Sequence, residues 1–211
     1  MALEVRAAER GDLGPIVAIY NHYVERSPVT FDLVRVRTGE RTEWLAQHVQ
    51  RGPHRILVAV EGRTVVGWAS TSPFRSRPGY ATTVESSVYC RPRSCGRGVG
   101  SRLYDELFRS IQDEDVERIV AGIALPNPAS IALHRRFGFR PVGTFTRAGR
   151  KFGRYWDVAW FERPLAIPPV GPEEEGRGRD PRPNRPRPPG GATGRVRGEG
   201  FEPTNPYGTR P

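Results

Sequence analysis

Lysine is almost missing from this chain. Of its 33 basic residues Lys151 alone is lysine, and the other 32 are arginine. A skew of that size reads as codon usage in a GC-rich genome, so the formal net charge of +10 is discounted as a sign of nucleic-acid binding. The arginines are also scattered, with no stripe of interleaved aromatics. Cysteine is nearly as scarce: Cys90 and Cys95 are the two present. A bridge closing so short a loop at a strand end is disfavoured, and free thiols in a reducing compartment are expected. Four histidines and two cysteines show no ligand spacing, so no metal site is expected. No apolar run reaches membrane-spanning length, and Met1-Ala2-Leu3-Glu4-Val5-Arg6 lacks the hydrophobic centre of a signal peptide. A soluble cytoplasmic protein without a membrane partner is the expectation.

The 211 residues suffice for one domain with a real core and not comfortably for two. Residues 1–167 alternate strand-like and helix-like stretches with short turns, the pattern of an α/β domain. From Pro168 the composition breaks. Residues 168–211 hold 11 of the 21 prolines and 9 of the 24 glycines and almost no aliphatic side chains. Such a segment buries too little apolar surface to offset chain entropy, so a disordered tail is expected. Its eight arginines, offset by six acids, are solvated on the plain reading and an RNA arm on a rival one. Gly200-Phe201-Glu202-Pro203 is also what a transfer-RNA T-arm encodes, which fits an accidental extension without function.

Within the domain a first strand is expected at Leu3–Ala7, then a helix capped by Asp12 and running to about Glu25, and a second helix over about Gly39–Arg51. Strands at 56–60 and 65–69 flank Glu61-Gly62-Arg63 as a hairpin. A strand at Thr82–Tyr89 precedes a helix from about Gly98 to Ile111 with Leu103, Leu107 and Ile111 inward. A strand at Arg118–Gly122, a helix opened by Asn127-Pro128 and ending near Phe137, and strands over about Val142–Gly149 and Tyr155–Glu162 complete the pattern.

Two stretches carry chemistry. Arg91-Pro92-Arg93-Ser94-Cys95-Gly96-Arg97-Gly98-Val99-Gly100-Ser101 joins a strand to a helix through a glycine-rich turn. Glycines at 96, 98 and 100 let the backbone approach a phosphate, and the first amides of the helix point at the anion. A P-loop is excluded because no lysine follows the glycines. A dinucleotide fingerprint fits poorly, because Asp113 to Asp115 fall in a polar run that ends a helix and not at a strand end. Glu85, on the preceding strand, would lie near the reactive end of a molecule held there.

The turn resembles the pyrophosphate loop of the GNAT acetyltransferases, Gln/Arg-x-x-Gly-x-Gly/Ala, with Cys95 in the first position. Asn127-Pro128-Ala129-Ser130, His134 and Phe137-Gly138-Phe139 are similar to a second motif of that family. Tyr20-Asn21-His22-Tyr23-Val24, Val29-Thr30-Phe31, Arg77-x-x-Tyr80, Thr83-Val84-Glu85-Ser86-Ser87-Val88-Tyr89 and Lys151-Phe152-Gly153-x-x-x-Asp157-Val158 resemble the group that acetylates phosphinothricin, methionine sulfone and methionine sulfoximine. The resemblance covers roughly residues 3–165. It implies an acyl-CoA N-acyltransferase fold with a mixed central sheet of six to seven strands flanked by helices, and acetyl-CoA as co-substrate. Pantetheine would pair with Val88, Tyr89 and Cys90, pyrophosphate would sit on Cys95, Gly96, Arg97, Gly98, Val99, Gly100 and Ser101, and Asn127 would touch the cofactor arm. A homodimer is carried over in the same way.

The same resemblance assigns Glu85 as general base, and chemistry supports it: an α-ammonium with a pKa of about 8 must lose a proton before its nitrogen attacks a thioester. The plain alternative is an exposed strand residue. His134 is a candidate to hold the coenzyme or protonate the leaving thiolate, against a helix-surface histidine without a role. Arg77 and Tyr80 are expected at the substrate carboxylate, Phe31 as a wall, and Lys151 either at an anionic substrate side chain or retained by chance. Cys95 removes a polar contact from the phosphate loop, so weaker acetyl-CoA binding is expected, and it leaves a thiol that reacts if exposed. Arg135 stands where relatives often carry glutamate. Trp44, Trp68, Trp156 and Trp160 read as core or interface packing. The expected activity is acetyl transfer to the α-amine of a small amino acid or analogue. Its rivals are acetylation of a protein N-terminus and an idle acyl-CoA-binding module that uses the tail for RNA.

Overall fold

The computed structural model describes residues 2–48 and 51–165; the expected tail at 168–211 lies outside them. Seven strands form one sheet: β1 (Leu3–Ala7), β2 (Ile56–Glu61), β3 (Thr64–Pro73), β4 (Thr83–Cys90), β5 (Arg118–Ala124), β6 (Arg140–Lys151) and β7 (Arg154–Pro164), in the order β1-β2-β3-β4-β5-β7-β6. The pairing of β4 with β5 is parallel and every other pairing is antiparallel. Helices α1 (Leu13–Arg26), α2 (Arg41–Ala46), α3 (Val99–Ser110) and α4 (Pro128–Arg136) flank the sheet.

Strand alternation divides the molecule into two faces. Val84 is fully buried, and Ser86 meets Tyr104 of α3. Together with Leu57, Ala59, Ile119, Ala121, Ile123, Ala159 and Phe161 they build a core against the inward stripe of α3, where Leu103, Tyr104, Leu107 and Ile111 are fully buried. The opposite face packs Ile56, Val58, Val60, Val65 and Trp68 against Ile16 and Ile19 of α1. Glu85, Ser87 and Tyr89, alternating with Val84, Ser86 and Val88, belong to this second face.

Local chemistry sets most element ends. Asn127 accepts the Ser130 amide at 3.1 Å through its side chain and caps α4, with Pro128 in the first turn. Phe152 and Gly153, both at positive φ (52° and 74°), make the two-residue turn between β6 and β7. Two expectations are corrected. Asp12 does not cap α1 with its side chain: the carboxylate accepts from the two terminal guanidinium nitrogens of Arg6 (2.7 and 3.0 Å) and from the Glu9 amide (2.8 Å), closing a 3-10 turn that feeds the helix. The second helix is α2, six residues long, preceded by a 3-10 turn at Thr38–Glu40.

Candidate active site

The central seam of the sheet opens into a fork. β4 and β5 pair only at Thr83–Glu85 with Arg118–Val120. Beyond that, β4 runs on to Cys90 along β3 and β5 runs on to Ala124 along β7. Among the described residues no strand borders Ser86–Cys90 on the β5 side, so that edge offers backbone donors and acceptors to an extended ligand. Val88, Tyr89 and Cys90 line it.

At the mouth of the fork β4 passes through a 3-10 turn at Pro92–Ser94 into the glycine turn and α3. Gly96 and Gly98 take positive φ (75° and 82°), where a side chain is strained. Gly98 is the N-cap of α3, and its carbonyl accepts the Arg102 amide at 3.0 Å. The amides of Val99, Gly100 and Ser101 therefore belong to the first turn and have no partner within the helix, which gives an anion site at its N-terminus. Gly100 lies against Leu133 of α4, where a Cβ would come within 3.2 Å. Arg97 pairs with Glu61 at 3.1 Å. Cys95 is exposed, 3.5 Å from the Arg91 carbonyl and 3.7 Å from the Tyr23 hydroxyl. Asn127 stands beyond the end of β5 with its side-chain oxygen engaged as the α4 cap. The fork and the glycine turn together fit a long molecule with a phosphate-rich middle and a slender arm.

Glu85 stands where the fork begins. It is half-buried, and no hydrogen bond holds its carboxylate among the described residues. Burial pushes its pKa above the usual carboxylate range, partly opposed by the Arg75 guanidinium. Val120, Gly122, Trp160 and Val158 share this face by register. Trp160 lies over Gly122, where a Cβ would meet its ring at 3.4 Å. Phe74 packs on Trp160, and Tyr80 on Phe74, with centroids 5.9 Å apart in both pairs. Exposed Arg77 caps the 3-10 turn that carries Tyr80. Phe31 enters from the loop after α1, with its ring pressed on Gly149 of β6, where no Cβ fits. Tyr80 thus joins Trp160 through Phe74, while Phe31 covers Gly149 of β6.

Two other expectations are corrected. His134 is 3 % exposed and sits in the α3-side core. Its Nδ1 lies 2.7 Å from the Ser130 carbonyl, which can only accept, so that nitrogen carries the proton. Nε2 then accepts from the Tyr104 hydroxyl at 3.0 Å. Burial pushes the imidazole pKa down. Both nitrogens are committed in a neutral ring, which leaves no proton for a leaving thiolate, and the ring is not a helix-surface residue either. Lys151 is 4 % exposed, and its ammonium donates to the carbonyls of Thr30 (2.7 Å) and Tyr23 (3.4 Å). It ties β6 to the α1 end and the following loop rather than facing a substrate.

Sequence reasoning missed Trp160, Phe74 and Arg75. Trp160 is linked to Glu85 by register across three strands, Phe74 by its ring contact with Trp160, and Arg75, beyond the end of β3, by its charge. A depression of about 590 Å³ lined by Gly14, Val17, Asn21 and Val34–Thr38 has none of the Glu85-face residues in its lining, and the chemistry described above has no place there.

Residues 16–139 match the acetyltransferase (GNAT) family. A phosphinothricin N-acetyltransferase of Streptomyces coelicolor is 52% identical over 77% of this chain and 96% of its own length. An L-methionine sulfoximine/L-methionine sulfone acetyltransferase of Pseudomonas paraeruginosa is 35% identical over 77% of this chain and 94% of its own. The crystal structure of a phosphinothricin acetyltransferase from Sinorhizobium meliloti in complex with AcCoA superposes with a TM-score of 0.74 at 32% identity, covering 83% of this chain and 95% of that one.

Proposed function

The chain belongs to the acetyltransferase (GNAT) family, and on that footing we propose that Glu85 is the general base for acetylating the α-amine of a small amino acid or analogue of the phosphinothricin or methionine sulfone type. The chain is an acetyl-CoA-dependent N-acetyltransferase. The observation that carries the assignment is a half-buried carboxylate with raised pKa and no hydrogen-bond donor among the described residues, at the point where β4 and β5 part.

Acetyl-CoA supplies an activated thioester carbonyl. The open edge of β4 at Val88–Cys90 receives its arm, and the amides of the turn from Gly96 to Ser101 receive its pyrophosphate. Glu85 takes a proton from the substrate ammonium, directly or through one water, and so frees the nitrogen lone pair for direct attack on the thioester carbonyl within one ternary complex; as the C–S bond breaks, the departing CoA thiolate takes up the further proton that the nitrogen sheds. Desolvation suits it to that task by bringing its pKa nearer to that of the amine. Arg77 and Tyr80 hold the substrate carboxylate, and Phe31, Phe74 and Trp160 exclude water.

We also assign a homodimer and a cytoplasmic site of action. Every residue of β6 from Arg140 to Ala148 is exposed, with Val142 at 62% and Phe145 at 63%, which supports an edge covered by a second copy. Cys90 and Cys95 are free thiols, and among the described residues no helix is long and apolar enough to cross a membrane. Residues 1–167 carry the whole activity on this reading, and 168–211 none of it.

Thiol release from acetyl-CoA, measured against phosphinothricin, methionine sulfoximine, methionine sulfone, common amino acids and short peptides, tests the assignment. Turnover on an amino-acid analogue that falls at least about tenfold in Glu85→Gln supports it. Peptide-only turnover moves the function to protein N-termini. Acetyl-CoA binding with silence across the panel overturns the substrate class.

A further inference from the structure

Glu85 has a neighbour whose hydrogen bonds can be assigned completely. Ser72 lies directly opposite it on the β3–β4 ladder, and paired residues on one face bring their Cβ atoms to about 5 Å. The Ser72 hydroxyl oxygen is 3.1 Å from Nε2 of His48, just beyond α2. Nδ1 of that ring is 2.6 Å from the Trp44 carbonyl. A carbonyl only accepts, so Nδ1 carries the proton. Burial pushes the His48 pKa down and outweighs the Trp44 and Thr71 carbonyls, which favour the charged form. The ring is neutral at pH 7, and Nε2 holds a lone pair. Ser72 therefore spends its single proton on His48. Two lone pairs on its oxygen are what it has left for the cleft.

We infer that Ser72 binds the reacting amine and that His48 is its positioning residue: the Ser72 oxygen accepts one N–H of the substrate ammonium while Glu85 takes the proton that leaves. This rests on Glu85 being the base. The arrangement has a second effect. With its proton committed to His48, Ser72 donates nothing to the Glu85 carboxylate, which keeps that carboxylate unsatisfied and basic. A serine free to rotate would donate to the carboxylate and weaken the base. The other titratable groups facing this cluster are Arg75 beside Glu85, the Arg118–Glu162 ion pair on the same sheet face, and His54 and Arg41 beside His48.

Steady-state kinetics with acetyl-CoA and either phosphinothricin or methionine sulfone test the inference, with thermal melts to show that each variant is folded. Ser72→Ala raises KM for the amine about tenfold, the scale of one lost hydrogen bond, and leaves KM for acetyl-CoA unchanged. His48→Phe raises the amine KM as well, and it shifts the acid limb of the kcat/KM profile to lower pH, because the released hydroxyl now donates to Glu85. His48→Gln offers an amide oxygen at the place of Nε2 and restores both readouts toward wild type. Equal rises in the two KM values, or a His48→Phe profile that coincides with wild type, overturn the inference. Glu85→Gln separates the two claims: unchanged turnover there removes the base but leaves the Ser72 effect on amine KM standing. Wild-type silence on both amines removes the substrate reading and this inference with it.

Discussion

The two faces of the sheet are built from similar alternating strands, but they treat their polar groups differently. On the α3 side, polar atoms are paired within the chain: Tyr104 is fully buried and bonds His134, which also bonds the Ser130 carbonyl, and Ser86 reaches the Val120 carbonyl at 3.4 Å. On the α1 side, Glu85 has no hydrogen bond among the described residues, and the Trp68 indole nitrogen is buried without a partner. The first face resembles an ordinary core, in which every buried donor finds an acceptor. The second leaves a charge poorly solvated, which costs stability and raises the carboxylate's pKa. The contrast teaches that a candidate reactive residue is recognised less by its type than by what its neighbours withhold from it.

The sharpest way to break this comparison is Glu85→Gln. Turnover falls at least about tenfold, while stability at neutral pH holds or rises. The sign follows from linkage. The folded pKa lies above the ordinary 4.5, so the carboxylate is a burden on the fold above that raised pKa and none below 4.5. A drop in Tm together with activity would place Glu85 among structural residues. Leu103→Ala on the other face has the opposite profile: a loss of about 2–5 kcal/mol in a denaturant melt, with KM for the amine unchanged in the protein that remains folded. Gly149→Ala comes next. Its Cβ enters the space of the Phe31 ring, so KM for the amine rises severalfold and KM for acetyl-CoA stays put in initial-rate assays. Gly98→Ala forces a side chain to φ 82°, costs about 1 kcal/mol, and weakens acetyl-CoA binding in calorimetry without altering amine specificity. Smallest is a pH effect on the closed face. The His134 pKa is lowered by burial, so its contribution to stability is fully present above the ordinary 6.5 and is lost as pH falls through the folded value. Replacing it with Phe flattens the fall in Tm between neutral and mildly acidic pH.

Legibility in the sequence followed the range of the interaction. The glycine turn, the Asn127 cap and the Leu103, Leu107 and Ile111 stripe are set by residues within one or two turns of each other, and all three stand where the spacing placed them. Glu85 was a candidate in the sequence because its own strand carried a motif. Asp12 misled because its nearest competitor was not the following helix but Arg6, one strand back. His134 and Lys151 misled for a related reason. Both sit in family motifs, yet their bonds run to Tyr104, 30 residues away, and to Thr30, 121 residues away. The pair of Ser72 and His48 had no local signature at all, since an α-helical carbonyl and a cross-strand register together decide which way one hydroxyl proton points.

The fork in the sheet has a mechanical meaning as well. Three residue pairs, Thr83–Glu85 with Arg118–Val120, are all that join β1–β4 to β5–β7 by backbone ladder. A ligand strand laid along the open edge lengthens that seam and acts as a zip between two half-sheets. Because such a ligand binds only the folded chain, it stabilises it by about 2.7 kcal/mol at a hundred times its dissociation constant. Amide hydrogens on both margins of the fork should exchange more slowly as it fills, and a co-substrate seated there would splice β4 to β5.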